Sequence, residues 1–344
     1  MSSTLSVLRS IYTSCDALAP ERDAYNDKTL GIICYSSESV TSNDLHSRDL
    51  PLMQVNTPVL SGSDGACEVW LSNAVLTTGS REGLHYRYSQ DLLFGVVELD
   101  ETNFPASASG APLQQATEAA YKQILTLLSD LNYPFIYRFW NYIADINGIS
   151  HGLERYRQFN SGRQDAFLAC GREVMGGLPA ACALGTGQGP LKIAFLAGRV
   201  EANAIENPRQ TSAYQYPQEY GPRSPAFSRA NLLCLAEQEI LFLSGTASIV
   251  GHETMHQGDV VAQTREAMAN LQALVAEADN FSKKKFGLTD VSYRVYVRNA
   301  EDVSSIQNEM SRIAGSTFKA IFLGADICRQ DLLLEIEATL DHPI

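Results

Sequence analysis

Basic residues are scarce in this chain: 26 Lys and Arg stand against 39 Asp and Glu, a formal net charge of -13 at pH 7. Nucleic acids and anionic membranes are held by basic faces, so neither is expected as a partner. An anionic substrate would have to be met by a local cluster of arginines. The seven cysteines are odd in number and contain no C-x-x-C spacing, which argues against a disulfide framework and fits a reducing cytoplasm. The N-terminal stretch MSSTLSVLRSIYTSC lacks a basic segment followed by a sustained apolar one, and no apolar run approaches the roughly 18 residues of a membrane helix. A cytoplasmic protein is the expectation. At 344 residues the chain has ample material for one or two cores without staples.

Two short motifs invite chemistry and do not carry it. His252 to His256 read H-E-T-M-H, the zinc-hydrolase signature, which works only where a helix sets both imidazoles on one face. Here the preceding EILFLSGTASIVG is apolar and β-branched, and helix signals begin only at Gly258-Asp259, a stop followed by an N-cap. The segment is therefore read as a strand-to-helix connection, with no metal site. The Gly-rich GTGQGP after LPAACALG lacks the Lys-Ser/Thr of a phosphate loop and is read as a hairpin turn.

An internal repeat organises the rest. DLLFGVVELDE, QQATEAAYKQILTLLSDL and YPFIYRFWNYIADI repeat as EILFLSGTASIVGHE, VVAQTREAMANLQALVAEA and VSYRVYVRNAEDV: strand, helix, strand. A constant offset lays Thr117 on Thr264, Ala120 on Ala267, Ile124 on Leu271 and Leu127 on Leu274, the apolar stripe of each helix. Tyr137-Arg138 then corresponds to Tyr293-Arg294. Each copy closes with another helix and two strands. The reading is an α+β fold of two tandem units, residues 1–204 and 205–344, each a mixed sheet with two helices on one face. Along LLLEIEATL, period-two alternation sends Leu334, Ile336, Ala338 and Leu340 to one face and Glu335 and Glu337 to the other. If that second face lines a semi-buried cleft, desolvation and mutual repulsion leave one carboxyl protonated near neutral pH.

In the second copy, S-G-T-A-S, GDVVAQTREAMANLQALV, YRVYVRNAEDV and LLLEIEA resemble the RidA/YjgF family, which has a chorismate-mutase-like fold. That resemblance implies trimers with ligand sites between subunits. Its substrate-binding arginine, fifteen residues before the first Glu of E-I-E, is here Ala320 beside Lys319, which counts against simple imine deamination. The whole chain resembles the chorismatases, through RFWNYIADIN, QYPQEYGPRSPAFSRA, FLSGTASIVGH and CRQDLLLEIEA. The first unit is then a degenerate RidA-like copy and the second carries the acid. The resemblance implies removal of pyruvate from chorismate, with Glu335 as acid and Cys328 as the mark of members that form 3-hydroxybenzoate, some of which also release 4-hydroxybenzoate. The alternatives are hydrolysis to a diene diol, imine deamination, and a non-catalytic binding module.

Chorismate carries two carboxylates, which planar guanidinium groups grip bidentately. The candidates are Arg138, Arg155, Arg157, Arg163, Arg223 and Arg229, with Arg223 foremost and Arg163 and Arg229 in reserve. Tyr216 and Tyr220 would add phenolic hydrogen bonds, and Gly245 and Ala247 of S-G-T-A-S would touch substrate. No metal or organic cofactor is required. The expected partner is chorismate alone, in a monomer, with a trimer as the alternative.

Overall fold

A computed structural model describes residues 8–14, 18, 26–37, 50–61, 66–107 and 110–343. The repeat read from the sequence is there. In the first unit, β6 (Thr77–Arg81), β7 (Leu84–Tyr88), β8 (Leu92–Leu99), β9 (Phe135–Ala144), β10 (Ala180–Thr186) and β11 (Leu191–Gly198) form a sheet ordered β10-β9-β11-β8-β7-β6. It packs beneath α1 (Pro112–Asp130) and α2 (Arg155–Ala169). In the second, β12 (Ala202–Ile205), β13 (Ala230–Cys234), β14 (Gln238–Thr246), β15 (Ser292–Val297), β16 (Lys319–Gly324) and β17 (Leu334–Pro343) are ordered β12-β13-β14-β17-β15-β16. Its helices are α3 (Val260–Ala278) and α4 (Val303–Ala314). The class is α+β. Among the described residues, no helix is long and apolar enough to cross a membrane.

The repeat extends to atomic detail. Thr117 and Thr264 are both buried, and each hydroxyl donates to the carbonyl four residues back, Leu113 and Val260, at 2.7 Å. Ala120, Ile124 and Leu127 and their counterparts Ala267, Leu271 and Leu274 are buried against the two sheets. Asp259 caps α3 by accepting from the Ala262 amide at 2.9 Å, as the Gly258-Asp259 signal predicts. Burying one such apolar stripe is the main support each helix has, since in proteins helical stability comes mostly from packing an amphipathic face.

Two expectations need correction. GTGQGP does not close a hairpin: β10 pairs parallel with β9 while β11 pairs antiparallel on the other side of β9, so the Gly-rich segment spans from one flank to the other. The second unit does the same, with β16 parallel and β17 antiparallel to β15. Two of the cysteines also pair: Cys34 and Cys67 form a disulfide, because antiparallel register sets them directly opposite one another.

That pair lies in a module the repeat did not reveal. The strands β1 (Leu8–Thr13), β2 (Thr29–Ser36), β3 (Leu52–Asn56) and β5 (Ala66–Ser72) form a separate sheet ordered β1-β5-β2-β3, and β4 (Val59–Ser61) joins the free edge of β16. The inner face of this third sheet meets the helix-free faces of the other two. Trp70 lies 5.6 Å from Trp140 and 6.0 Å from Phe242, ring centre to ring centre, one aromatic from each sheet. A cavity opens beside this three-sheet core.

Candidate active site

A cavity of about 260 Å³ lies where the two units meet. The first unit contributes Ala181 to Ala183 of β10 and the start of α2, the second contributes β14 and β17, and the connector between them supplies Tyr216 to Arg229. Ser244 joins these parts, accepting from the Ala181 amide at 2.9 Å and donating to the Ser228 carbonyl at 2.6 Å. Just after it the pairing of β14 with β17 shifts register between Leu243 and Thr246, a bulge that opens the sheet. Gly245 sits in the bulge. A Cβ there would overlap the Glu335 carboxylate, so the absence of a side chain is what lets the acid lie along the cavity wall.

Glu335 and Glu337 share one face of β17, as alternation requires, and that face is turned inward: they are 4 % and 2 % exposed. Their surroundings drive them apart. Burial pushes Glu335 up to about 8, the neighbouring Glu337 charge adds to the rise, and Arg138 and Arg229 oppose it. Burial also acts on Glu337, but Arg294 and Arg138 outweigh it and hold that carboxyl below the usual range. Two like acids, one neutral and one ionised, is the arrangement by which an active site divides acid from spectator.

Four guanidinium groups line the wall, from Arg157, Arg163, Arg229 and Arg329. Arg229 donates to the Thr211 carbonyl at 2.8 Å and the Tyr216 hydroxyl at 2.7 Å, and Arg163 to Asn160 at 2.9 Å. Arg329 stacks on Tyr220, 4.1 Å from the ring centre, and donates to the His252 carbonyl at 2.8 Å. The Nε groups of Arg163 and Arg229 and Nη2 of Arg329 are buried with no hydrogen-bond partner among the described residues. Buried donors are almost always satisfied, so unpaired donors on cavity-lining cations call for an acceptor such as a ligand carboxylate. In a chain this acidic, the concentration of positive charge is local and specific.

The comparisons with known proteins bear on the same chain. The family described as "Chorismatase FkbO/Hyg5-like, N-terminal" matches residues 68–197. A 3-hydroxybenzoate synthase of Streptomyces hygroscopicus is 35% identical over 322 residues, 90% of this chain and 91% of that one. The chain belongs to the chorismatase family. A chorismatase of Streptomyces rapamycinicus is 37% identical over 282 residues, covering 79% and 81% of the two chains. A solved chorismatase crystal structure superposes with a TM-score of 0.84 at 30% identity, covering 97% of this chain and 98% of that one.

Of the residues that the chorismatase resemblance and the arginine search single out, most converge. Glu335, Cys328, Arg163, Tyr216, Tyr220, Arg229, Gly245 and Ala247 all line the cavity. Two do not. Arg138 is buried behind it, where Nη2 donates to Glu337 and Nη1 to the Leu243 carbonyl. Arg223 lies outside, its side chain 48% exposed and 3.6 Å from Asp165, because the connector turns it away while directing Arg229 inward. Arg155 is likewise committed to Glu101 at 2.8 Å. H-E-T-M-H forms a turn, not a helix: Ile249–Val250 pairs with Glu253–Thr254, His252 meets Tyr220 at 3.2 Å, and His256 meets Glu266 at 3.2 Å.

Sequence reasoning missed Arg329, Tyr156 and Cys182. Arg329 directly follows Cys328 within CRQDLLLEIEA and was available on that ground. Cys182 shows no signal in AACALGT; only the parallel pairing of β10 with β9 brings it beside both glutamates.

Proposed function

We propose that this cavity removes pyruvate from chorismate and yields 3-hydroxybenzoate. The observation that carries the reading is the neutral carboxyl of Glu335 in a small cavity walled by guanidinium groups. Chorismate offers both complements: two carboxylates for the arginines, and an enol ether whose methylene carbon accepts a proton. Glu335 delivers that proton, and the ether carbon takes on oxocarbenium character while the arginines keep the substrate aligned. The neighbouring ring hydroxyl displaces pyruvate and gives up its proton, and the resulting epoxide opens as the ring aromatises. No water is consumed: chorismate divides into pyruvate and a hydroxybenzoate, and the proton lent by Glu335 is returned.

Cys328 lies 4.0 Å from Glu335 through its Sγ, and burial pushes its thiol up to about 12, with the Glu335 charge adding to the rise. It is therefore a neutral S–H at working pH, able to donate weakly but not to act as a thiolate nucleophile. We assign it to the fate of the ring intermediate. Cys328→Ala is expected to keep pyruvate release within about tenfold of wild type, a smaller loss than removing a general acid brings, while product shifts from 3-hydroxybenzoate toward the hydrolytic diene diol. An unchanged product profile would make Cys328 a packing residue.

One incubation of the purified protein with chorismate, followed by product chromatography, tests the proposal. Pyruvate and 3-hydroxybenzoate should appear together, with or without EDTA. Diene diol alone would indicate hydrolysis, consumption of 2-iminopropionate with chorismate untouched would indicate an imine deaminase, and binding without turnover a ligand-binding module.

A further inference from the structure

Behind the acid lies a group the reaction does not touch. Glu337 accepts from Arg138 through Oε2, and through Oε1 from Arg294 and, at 3.2 Å, from the Tyr296 hydroxyl. Arg294 continues to Glu68 on β5 and, at 3.4 Å, to Tyr12 on β1. Cation and anion alternate through Arg138, Glu337, Arg294 and Glu68, all four nearly sealed from solvent. Buried ion networks of this kind are rarely the most stabilising way to fill a core, since apolar residues of similar volume do as well or better. Their presence asks for another reason.

The duplication supplies one. Arg138 and Arg294 occupy equivalent places in the two units, yet both turn toward the single carboxylate of Glu337. Opposite Arg294 and Tyr296 on the neighbouring strand stand Glu337 and Glu335, whereas opposite Arg138 and Trp140 stand Leu196 and Ala194. The unit without the acid therefore also lacks the clamped carboxylate, and its arginine serves the unit that has both.

We propose that Glu337 is a positioning residue for Glu335: a fixed negative charge, clamped between Arg138 and Arg294, set two residues along β17 to keep the proton on the acid. This rests on Glu335 being the acid. The groups that face Glu335 are Glu337 on its own strand, Arg138 on β9, Cys182 on β10, Tyr156 on α2, Arg229 on the connector and Cys328. Among these charges Glu337 acts most strongly and favours the protonated form, while Arg138 and Arg229 favour the ionised one. Glu337 itself faces Arg138, Arg294, Cys182 and Tyr296, with Glu68, Tyr12, Tyr35 and Tyr142 beyond.

The test is the pH profile of kcat for pyruvate release in wild type, Glu337→Gln and the double variant Glu337→Gln/Arg294→Gln. The double variant removes one charge of each sign, leaves the buried cluster balanced, and so keeps the test available should the single variant fail to fold. In both variants the alkaline limb should move down by about one pH unit or more, so that activity lost near pH 8 returns in mildly acidic buffer. A loss of kcat that is uniform across pH, with the limb unmoved in the double variant, would overturn the proposal and leave Glu337 a structural residue. Failure of the underlying reading looks different: wild type would show no alkaline limb and Glu335→Gln would still turn over.

Discussion

Glu335→Gln is expected to lower turnover of chorismate by a factor of about 10² to 10⁴, the usual contribution of a positioned general acid. The amide matches the carboxyl in shape, so the Gly245 bulge that accommodates Glu335 should accommodate the variant. It cannot deliver a proton to carbon. Affinity should change far less than turnover, because the arginines that line the cavity are untouched, and a loss confined to kcat marks an interaction made only in the transition state. Because Glu335 is held neutral in the wild type, the substitution also removes little charge from the cavity. Retention of more than about a tenth of wild-type turnover, far short of the 10²-fold loss of a general acid, would place the proton elsewhere.

The second large effect is on binding. Arg229→Ala should weaken chorismate by about 2–4 kcal/mol, on the order of 30- to 1000-fold, the range for a lost charge-assisted pair in a desolvated site. Arg163→Ala should behave alike, since both are buried cavity residues whose Nε has no partner among the described residues. Arg223→Ala should leave affinity within a few-fold, because its exposed pairing with Asp165 is of the kind worth at most about 1 kcal/mol. The three variants form an internal control in one titration series. Equal effects at Arg223 and Arg229 would mean that the substrate is held at the surface instead of in the cavity.

How far the sequence carried this account depended on whether a feature was periodic. The two long helices, the Asp259 cap of α3 and the duplicated stripe from Thr117 and Thr264 onward were legible in the sequence. So was the shared face of Glu335 and Glu337, since a strand can only alternate. That the face points inward was not legible, because solvent and cavity look the same to a two-residue period. Arg138 illustrates the limit well: the repeat located it correctly as the counterpart of Arg294, but its partner Glu337 lies far along the chain in the other sheet, and only the register of β15 with β17 and the packing of one sheet on the other bring the three together. Arg223 and Arg229 share one short Pro-rich connector with no period at all, so nothing in spacing separated the surface arginine from the cavity one. The N-terminal sheet escaped for a related reason. Its strands have no counterpart in the second unit for a repeat to reveal, and the Cys34–Cys67 pairing exists only in its antiparallel register.

The central claim is that a carboxylic acid, kept protonated by its surroundings, starts the reaction at carbon. The dependence of kcat for pyruvate release on pH reads it most directly in the unmodified protein. Only the protonated form of Glu335 is competent, and burial together with Glu337 places its ionisation at about 8. The rate should therefore be level through neutral pH and fall tenfold per pH unit above that point, one proton lost for one activity lost. A rate that rises with pH through the same range, or that has already fallen by pH 6, would show that Glu335 does its work ionised and would contradict the account.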